Sequence, residues 1–220
     1  MNDNERAQVI QKARELVLRD PEKRQLIEKN FADAKPIIEE LAGLGYHIET
    51  LADLRHQGKS WKPALPILLR WLPKTDNPDV KDELVRCLSV PWLGNSGTAA
   101  LIEEFRKAAL SNAMLAWTIG NALSIVDVKG FENQIIELSR NPAYGMARQM
   151  LVLGSSRFDS IEAEDTALQL LHDESVKLHA VIALGKMKSR RALPELERLS
   201  TDKNSAIRKE ARKAITSITR

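Results

Sequence analysis

Apolar and polar positions alternate with a helical period over most of the chain, most clearly from Val176 to Ile215. Val176, Ala180, Ala183, Leu184 and Met187 fall on one stripe of a 3.6-residue helix. Val176, Ala180 and Ala183 recur 31 residues later as Ile207, Ala211 and Ala214. Alanines in mid-stripe let a neighbouring backbone come close, Gly185 lets the chain leave the helix, and Arg190-Arg191-Ala192-Leu193-Pro194 opens the next one. A repeated helical pair of this kind has no core of its own and must stack on a neighbour.

Upstream, the same pattern draws further helical pairs. Asp3 or Asn4 caps a first helix running to about Arg19, with Val9, Ile10, Ala13, Leu16 and Val17 as its inward stripe. Asp20-Pro21 starts a second helix carrying Leu26, Ile27 and Phe31, and Pro36 either bends it or begins another containing Ile37, Ile38 and Leu41. Thr50 caps a short helix closed by Gly58. From Trp61 the pairs fall at about 61–90, 97–125, 131–154, 160–187 and 190–219. Their second helices repeat a stripe of four: Val80, Leu84, Cys87, Leu88; Leu115, Ile119, Ala122, Leu123; Met146, Met150, Leu153, Gly154; Val176, Ala180, Ala183, Leu184; Ile207, Ala211, Ala214, Ile215. Residues 1–60 then form an N-terminal helical cap packed on an array made by residues 61–220.

Composition agrees. Hydrophobic residues make up 43% and charged residues 29%, with 5% aromatics, as in an ordinary folded helical chain. No run alternates with period two long enough to make a strand, so the fold class is all-α. Residues 186–220 hold eleven Lys or Arg against four Asp or Glu, a balance of +7 in a chain of net charge +3. That basic region could meet nucleic acid, or it is the solvated outer face of a last repeat. Cys87 is the single cysteine, so neither an intrachain disulfide nor a cysteine cluster can form. Neither a signal peptide nor a run of about 18 apolar residues is present, which excludes a membrane span and makes the cytoplasm the expected location.

The stripes and their spacing resemble the HEAT repeat, particularly the bacterial version found alongside phycobilisome lyases. The match is good over 160–219, fair over 61–90 and 131–154, and loose over 97–125. Asp202 followed six residues later by Arg208 is similar to that family's inter-repeat aspartate–arginine ladder. The resemblance implies a right-handed α-α superhelix, a HEAT-like solenoid of about five helical pairs with an N-terminal helical cap. It also implies that the second helices line a concave surface. On those helices the positions three residues beyond each stripe's first member are Glu83, Thr118, Gln149, His179 and Glu210, polar in every repeat. Positions six beyond include Arg86, Asn121 and Lys213. A polar row of this kind is what a binding groove requires, and equally what any solvent-facing row shows.

Catalytic chemistry is harder to place. His47, His56, His172 and His179 lie far apart without a metal-ligand spacing, and no nucleophile elbow, phosphate loop or dinucleotide fingerprint is present, so neither metal nor cofactor is expected. Cys87 sits where later repeats hold alanine and reads as packing. Glu39-Glu40 and Glu103-Glu104 are adjacent pairs that diverge by roughly 100° on a helix and read as solvated faces. The four tryptophans, Trp61, Trp71, Trp92 and Trp117, are expected to fill wedges between layers. The leading expectation is a non-enzymatic scaffold binding a protein partner through its concave face. The alternative is a nucleic-acid-binding or DNA-repair protein of the HEAT-like alkylpurine glycosylase type, although that family's catalytic set does not map onto these residues one by one. A lyase or chaperone-like factor for a cofactor-bearing protein is a third reading, resting on family association alone.

Overall fold

The computed structural model describes residues 20–57 and 60–220, which form twelve α-helices joined by turns and short 3-10 segments; no strand occurs among them. The expected first helix and the Gly58 stop lie outside the described residues. The chain divides into two compact units, residues 1–84 and 85–220.

In the first unit, α1 (Pro21–Ala42) starts at Asp20, whose Oδ1 accepts the Glu22 and Lys23 amides at 3.1 and 3.3 Å. The helix continues through Pro36 without restarting and buries Ala34, Ile37 and Leu41, one stripe at i, i+3 and i+7. Leu26 and Phe31 remain half exposed. Thr50 and Asp53 form a capping box for α2 (Leu51–His56), with Asp53 Oδ2 accepting the Thr50 amide at 2.7 Å. A 3-10 turn, Lys62–Ala64, leads into α3 (Leu65–Trp71), which packs on α1. There Glu40, read from sequence as solvated, pairs with Arg70 and accepts the Trp71 indole N–H at 3.2 Å. Asn77 caps α4 (Pro78–Leu88) and donates to Asp33 at 2.7 Å.

The second unit holds four helical pairs after α4: α5 (Asn95–Ala108) with α6 (Ala113–Ile125), α7 (Glu132–Arg140) with α8 (Gln149–Gly154), α9 (Ile161–Leu170) with α10 (Lys177–Met187), and α11 (Leu193–Leu199) with α12 (Ser205–Thr219). Each pair packs internally, and the second helices touch in sequence, α6 on α8, α8 on α10 and α10 on α12. Together with α4, these are the five second helices drawn from sequence. The core between the last two pairs is built from Ala180, Leu184, Leu196, Ala211 and Ala214. Cys87 is fully buried, as its stripe position requires.

Three local expectations change. Gly185 does not end α10: it is buried in the helix, and a Cβ added there would stand 2.7 Å from Ala214 Cβ and 3.0 Å from Ala214 Cα on α12. Its missing side chain is what lets the two backbones meet. The helix ends instead at Lys188, in the left-handed conformation (φ 53°, ψ 41°), with Ser189 N–H bonded to Leu184 O at 3.1 Å. A second close approach joins Gly154 on α8 to Ser124 on α6, where an added Cβ would lie 3.0 Å from Ser124 Cβ.

The third pair is out of phase with its expected stripe. Pro142–Arg148 is a 3-10 segment broken by Gly145 (φ 46°, ψ −130°), so α8 begins only at Gln149. Met146 is consequently exposed, and Ala147, Arg148, Leu151 and Val152 are buried in place of Met146, Met150, Leu153 and Gly154. The tight Tyr144 edge contact on the Phe105 ring, 5.7 Å between centroids, holds this segment against α5. Glu104, expected on a solvated face, is buried and bonded to Lys107 at 2.8 Å.

Candidate partner-binding face

The outer side of α6 is narrow because α5 and α8 both cover it. Leu115, Ala116, Thr118, Ile119, Gly120, Ala122 and Leu123 are all buried, so only Met114, Trp117 and Ile125 stay open, with Asn121 half-buried. Met114 and Trp117 are three residues apart and share a face. Met114 is 75% exposed and Trp117 36%, and Leu110 in the preceding turn is 72% exposed. Trp117 therefore fills no wedge between layers, contrary to expectation. The Trp117 indole N–H donates to Gln149 Oε1 at 3.3 Å, and the Gln149 amide donates to Ser175 O at 2.9 Å. Met146, exposed, precedes Gln149 by one turn in the 3-10 segment that packs on α6. Side chains of α6, α8 and the turn before α10 are thus linked under a mainly apolar exposed patch.

That patch rests on a buried cation. Arg148 is 1% exposed and spends its guanidinium on four partners: Nε on Gly145 O at 3.1 Å, Nη1 on Ser139 O at 3.1 Å, and Nη2 on Asp173 Oδ2 at 2.6 Å and Ser175 Oγ at 2.9 Å. Burial by itself would raise the Asp173 carboxyl, but hydrogen bonds from Ser175 and Arg148 outweigh it and hold the group below its ordinary value. Asp173 therefore stays charged opposite Arg148. This Arg148–Asp173 pair joins consecutive helical pairs. The sequence spacing pointed instead to Asp202 and Arg208, but Arg208 Nη1 donates to the main-chain oxygens of Asp202 and Lys203 at 2.7 and 2.9 Å. A second arginine, Arg157, reaches back across the stack. Its Nη2 donates to Leu123 O at 3.0 Å and Val126 O at 2.6 Å, the carbonyls at the end of α6.

The row drawn from sequence is only partly exposed. Thr118 is 5% exposed and hence not on an open surface: an inner second helix is covered from two sides, which the stripe alone does not reveal. Glu83 pairs with Arg55 at 2.7 Å in the first unit, and Arg86 is exposed. His179 is half-buried with Nδ1 lacking a hydrogen-bond partner, and burial pushes its pKa down, so the imidazole is neutral at pH 7. Glu210 and Lys213 form an ion pair at 2.6 Å. Gln149 alone of the row is tied directly into the Trp117 patch.

Residues 135–218 match the family model of HEAT repeats. No curated protein and no solved structure matches the chain. The HEAT-repeat segment takes in α8, α10 and α12, and so carries Gln149, His179, Glu210 and Lys213 together with the Arg148–Asp173 link; Glu83, Arg86, Thr118 and Asn121 precede it. HEAT repeats commonly serve as protein-interaction scaffolds. Among the described residues, no helix is long and apolar enough to cross a membrane, and no three His, Cys, Asp or Glu side chains gather as metal ligands would.

Proposed function

We propose that the protein is a non-enzymatic HEAT-repeat scaffold of the bacterial phycobilisome-lyase type, working in the cytoplasm. It binds a protein partner through the concave face of a right-handed superhelix lined by its second helices. Residues 61–220 supply the repeats and residues 1–60 the N-terminal cap. The observation that supports this reading best is the exposed group of Leu110, Met114, Trp117 and Met146 beside Gln149. Large apolar side chains gathered on a surface mark interaction sites, and Trp and Met are favoured at interface centres. Asn121, His179, Glu210 and Lys213, with Glu83 and Arg86, form the polar surround of that face. Arg148 and Asp173 hold the helices beneath it in place.

The test is an affinity capture from source cells using the chain and a Trp117→Ala, Met114→Ser variant. Removing a central aromatic anchor typically weakens an interface by about 2 kcal/mol, or roughly 30-fold. A partner retained at full occupancy by the folded variant would rule this face out.

A further inference from the structure

Away from that patch, the turn after α10 and the C-terminal half of α12 enclose an open groove of about 480 Å³ lined by Lys188, Arg212, Lys213, Thr216, Ser217 and Arg220. Four of the six are cationic and the other two carry hydroxyl groups. Only Lys213 has a carboxylate partner among the described residues, Glu210 at 2.6 Å. The Arg212 Nε is held by Ser200 O at 3.2 Å, which orients the guanidinium and leaves its terminal nitrogens unbonded among the described residues. The Thr216 hydroxyl donates to Arg212 O at 2.9 Å, so its oxygen presents lone pairs while Ser217 keeps its hydroxyl proton available. Lys188 is pinned by the left-handed turn that closes α10.

The charge extends past the groove. On α12, Lys209, Arg212, Lys213, Thr216 and Arg220 recur at i, i+3, i+4, i+7 and i+11, which is one helical face. At a rise of about 1.5 Å per residue this face is about 16 Å long. Lys186 and Arg190 stand exposed on either side of Lys188. A line of cations without an aromatic or large apolar residue in the groove offers nothing for a base to stack on and no pocket for a peptide side chain. It does match an extended row of anions.

We infer that this groove binds the phosphodiester backbone of duplex nucleic acid, with Lys188, Arg212, Lys213 and Arg220 as the phosphate contacts. The site differs from the Trp117 patch, so either can fail without the other. Binding of this kind is independent of base sequence and falls steeply with salt.

Fluorescence anisotropy with a short labelled DNA duplex over a salt series tests the assignment. Four contacts predict a slope of log affinity against log salt of about −3.6, or about a 100-fold loss between 50 and 200 mM salt. The Lys188→Asn, Arg220→Gln variant should halve the slope and lose only about 10-fold over the same interval. Asparagine tolerates the left-handed turn at 188, and an unchanged melting curve verifies that the variant is folded. Absence of duplex binding at about 20 mM salt, or an unaltered slope in the variant, would overturn the inference. So would a phosphoserine peptide that binds the groove more tightly than the duplex and displaces it.

Discussion

Replacing Gly185 by alanine sets two effects of known size against each other. In an ordinary helix interior the change stabilises by about 1 kcal/mol, because alanine costs less backbone entropy. Here the new methyl would sit 2.7 Å from Ala214 Cβ and 3.0 Å from Ala214 Cα. Carbon atoms rest at about 3.5–4.0 Å, so α10 and α12 would have to part by roughly 1 Å. Neither a methyl nor a Cα can rotate away, and a gap of that width forfeits a quarter to a half of the dispersion energy along the contact. Overpacking of this type costs about 1–3 kcal/mol, which meets or exceeds the helix gain and leaves a net loss of about 1 kcal/mol. Urea unfolding followed by circular dichroism should show a lower midpoint with an unchanged slope. The reciprocal swap, Gly185→Ala with Ala214→Gly, moves the methyl to the other helix and should recover most of the loss, giving a coupling energy of about 1–2 kcal/mol in the double-mutant cycle. A Gly185→Ala protein more stable than its parent would refute the close approach of α10 and α12.

Arg148→Met should destabilise by about 3 kcal/mol in the same assay, the low end for a broken buried ion pair because Asp173 keeps some access to water. Adding Asp173→Asn should restore part of that loss, and an additive double variant would dissolve the proposed pairing. His179 gives a pH signature. Its folded pKa lies below the model value of 6.5, so protonation favours the unfolded chain. Stability from this residue is intact above about pH 6.5 and is lost as the pH falls through the folded pKa. In His179→Leu the decline in stability between about pH 7 and 5 should be smaller, whereas identical pH profiles would place the imidazole in water.

Much of the helical layout can be read from residue chemistry. Asp20-Pro21 and Thr50 begin helices where capping rules put them, and all five drawn pairs have their two helices. What escaped was phase. Gly145 breaks the entry to α8, which turns Met146 outward and brings Arg148 into the interior, a position where a lone arginine in sequence reads as surface. The same loss hid the patch: Trp117 and Gln149 are 32 residues apart, and only the packing of α6 on α8 makes them partners. Thr118 shows the complementary limit, since its burial depends on how many neighbours cover α6 and not on its own helix. The cationic balance of residues 186–220 was evident from composition. Its concentration around one groove follows from the turn that sets Lys188 against α12.

Arg157 has a consequence for the order in which this stack comes apart. The carbonyls that end α6 are satisfied not from within their own pair but by a side chain that arrives with the next, 31 and 34 residues further on. Before residues 149–157 have docked, α6 lacks its terminal partner and frays; once they dock, the helix end is sealed and the Arg157 charge is withdrawn from water, which lowers its pKa against the pull of Asp127 and Glu132. Folding cooperativity in this unit is therefore directional at that junction, with the later pair completing the earlier one. Amide exchange at the end of α6 should report openings that begin in α8, so that protection there measures the health of a neighbour more than of the helix itself.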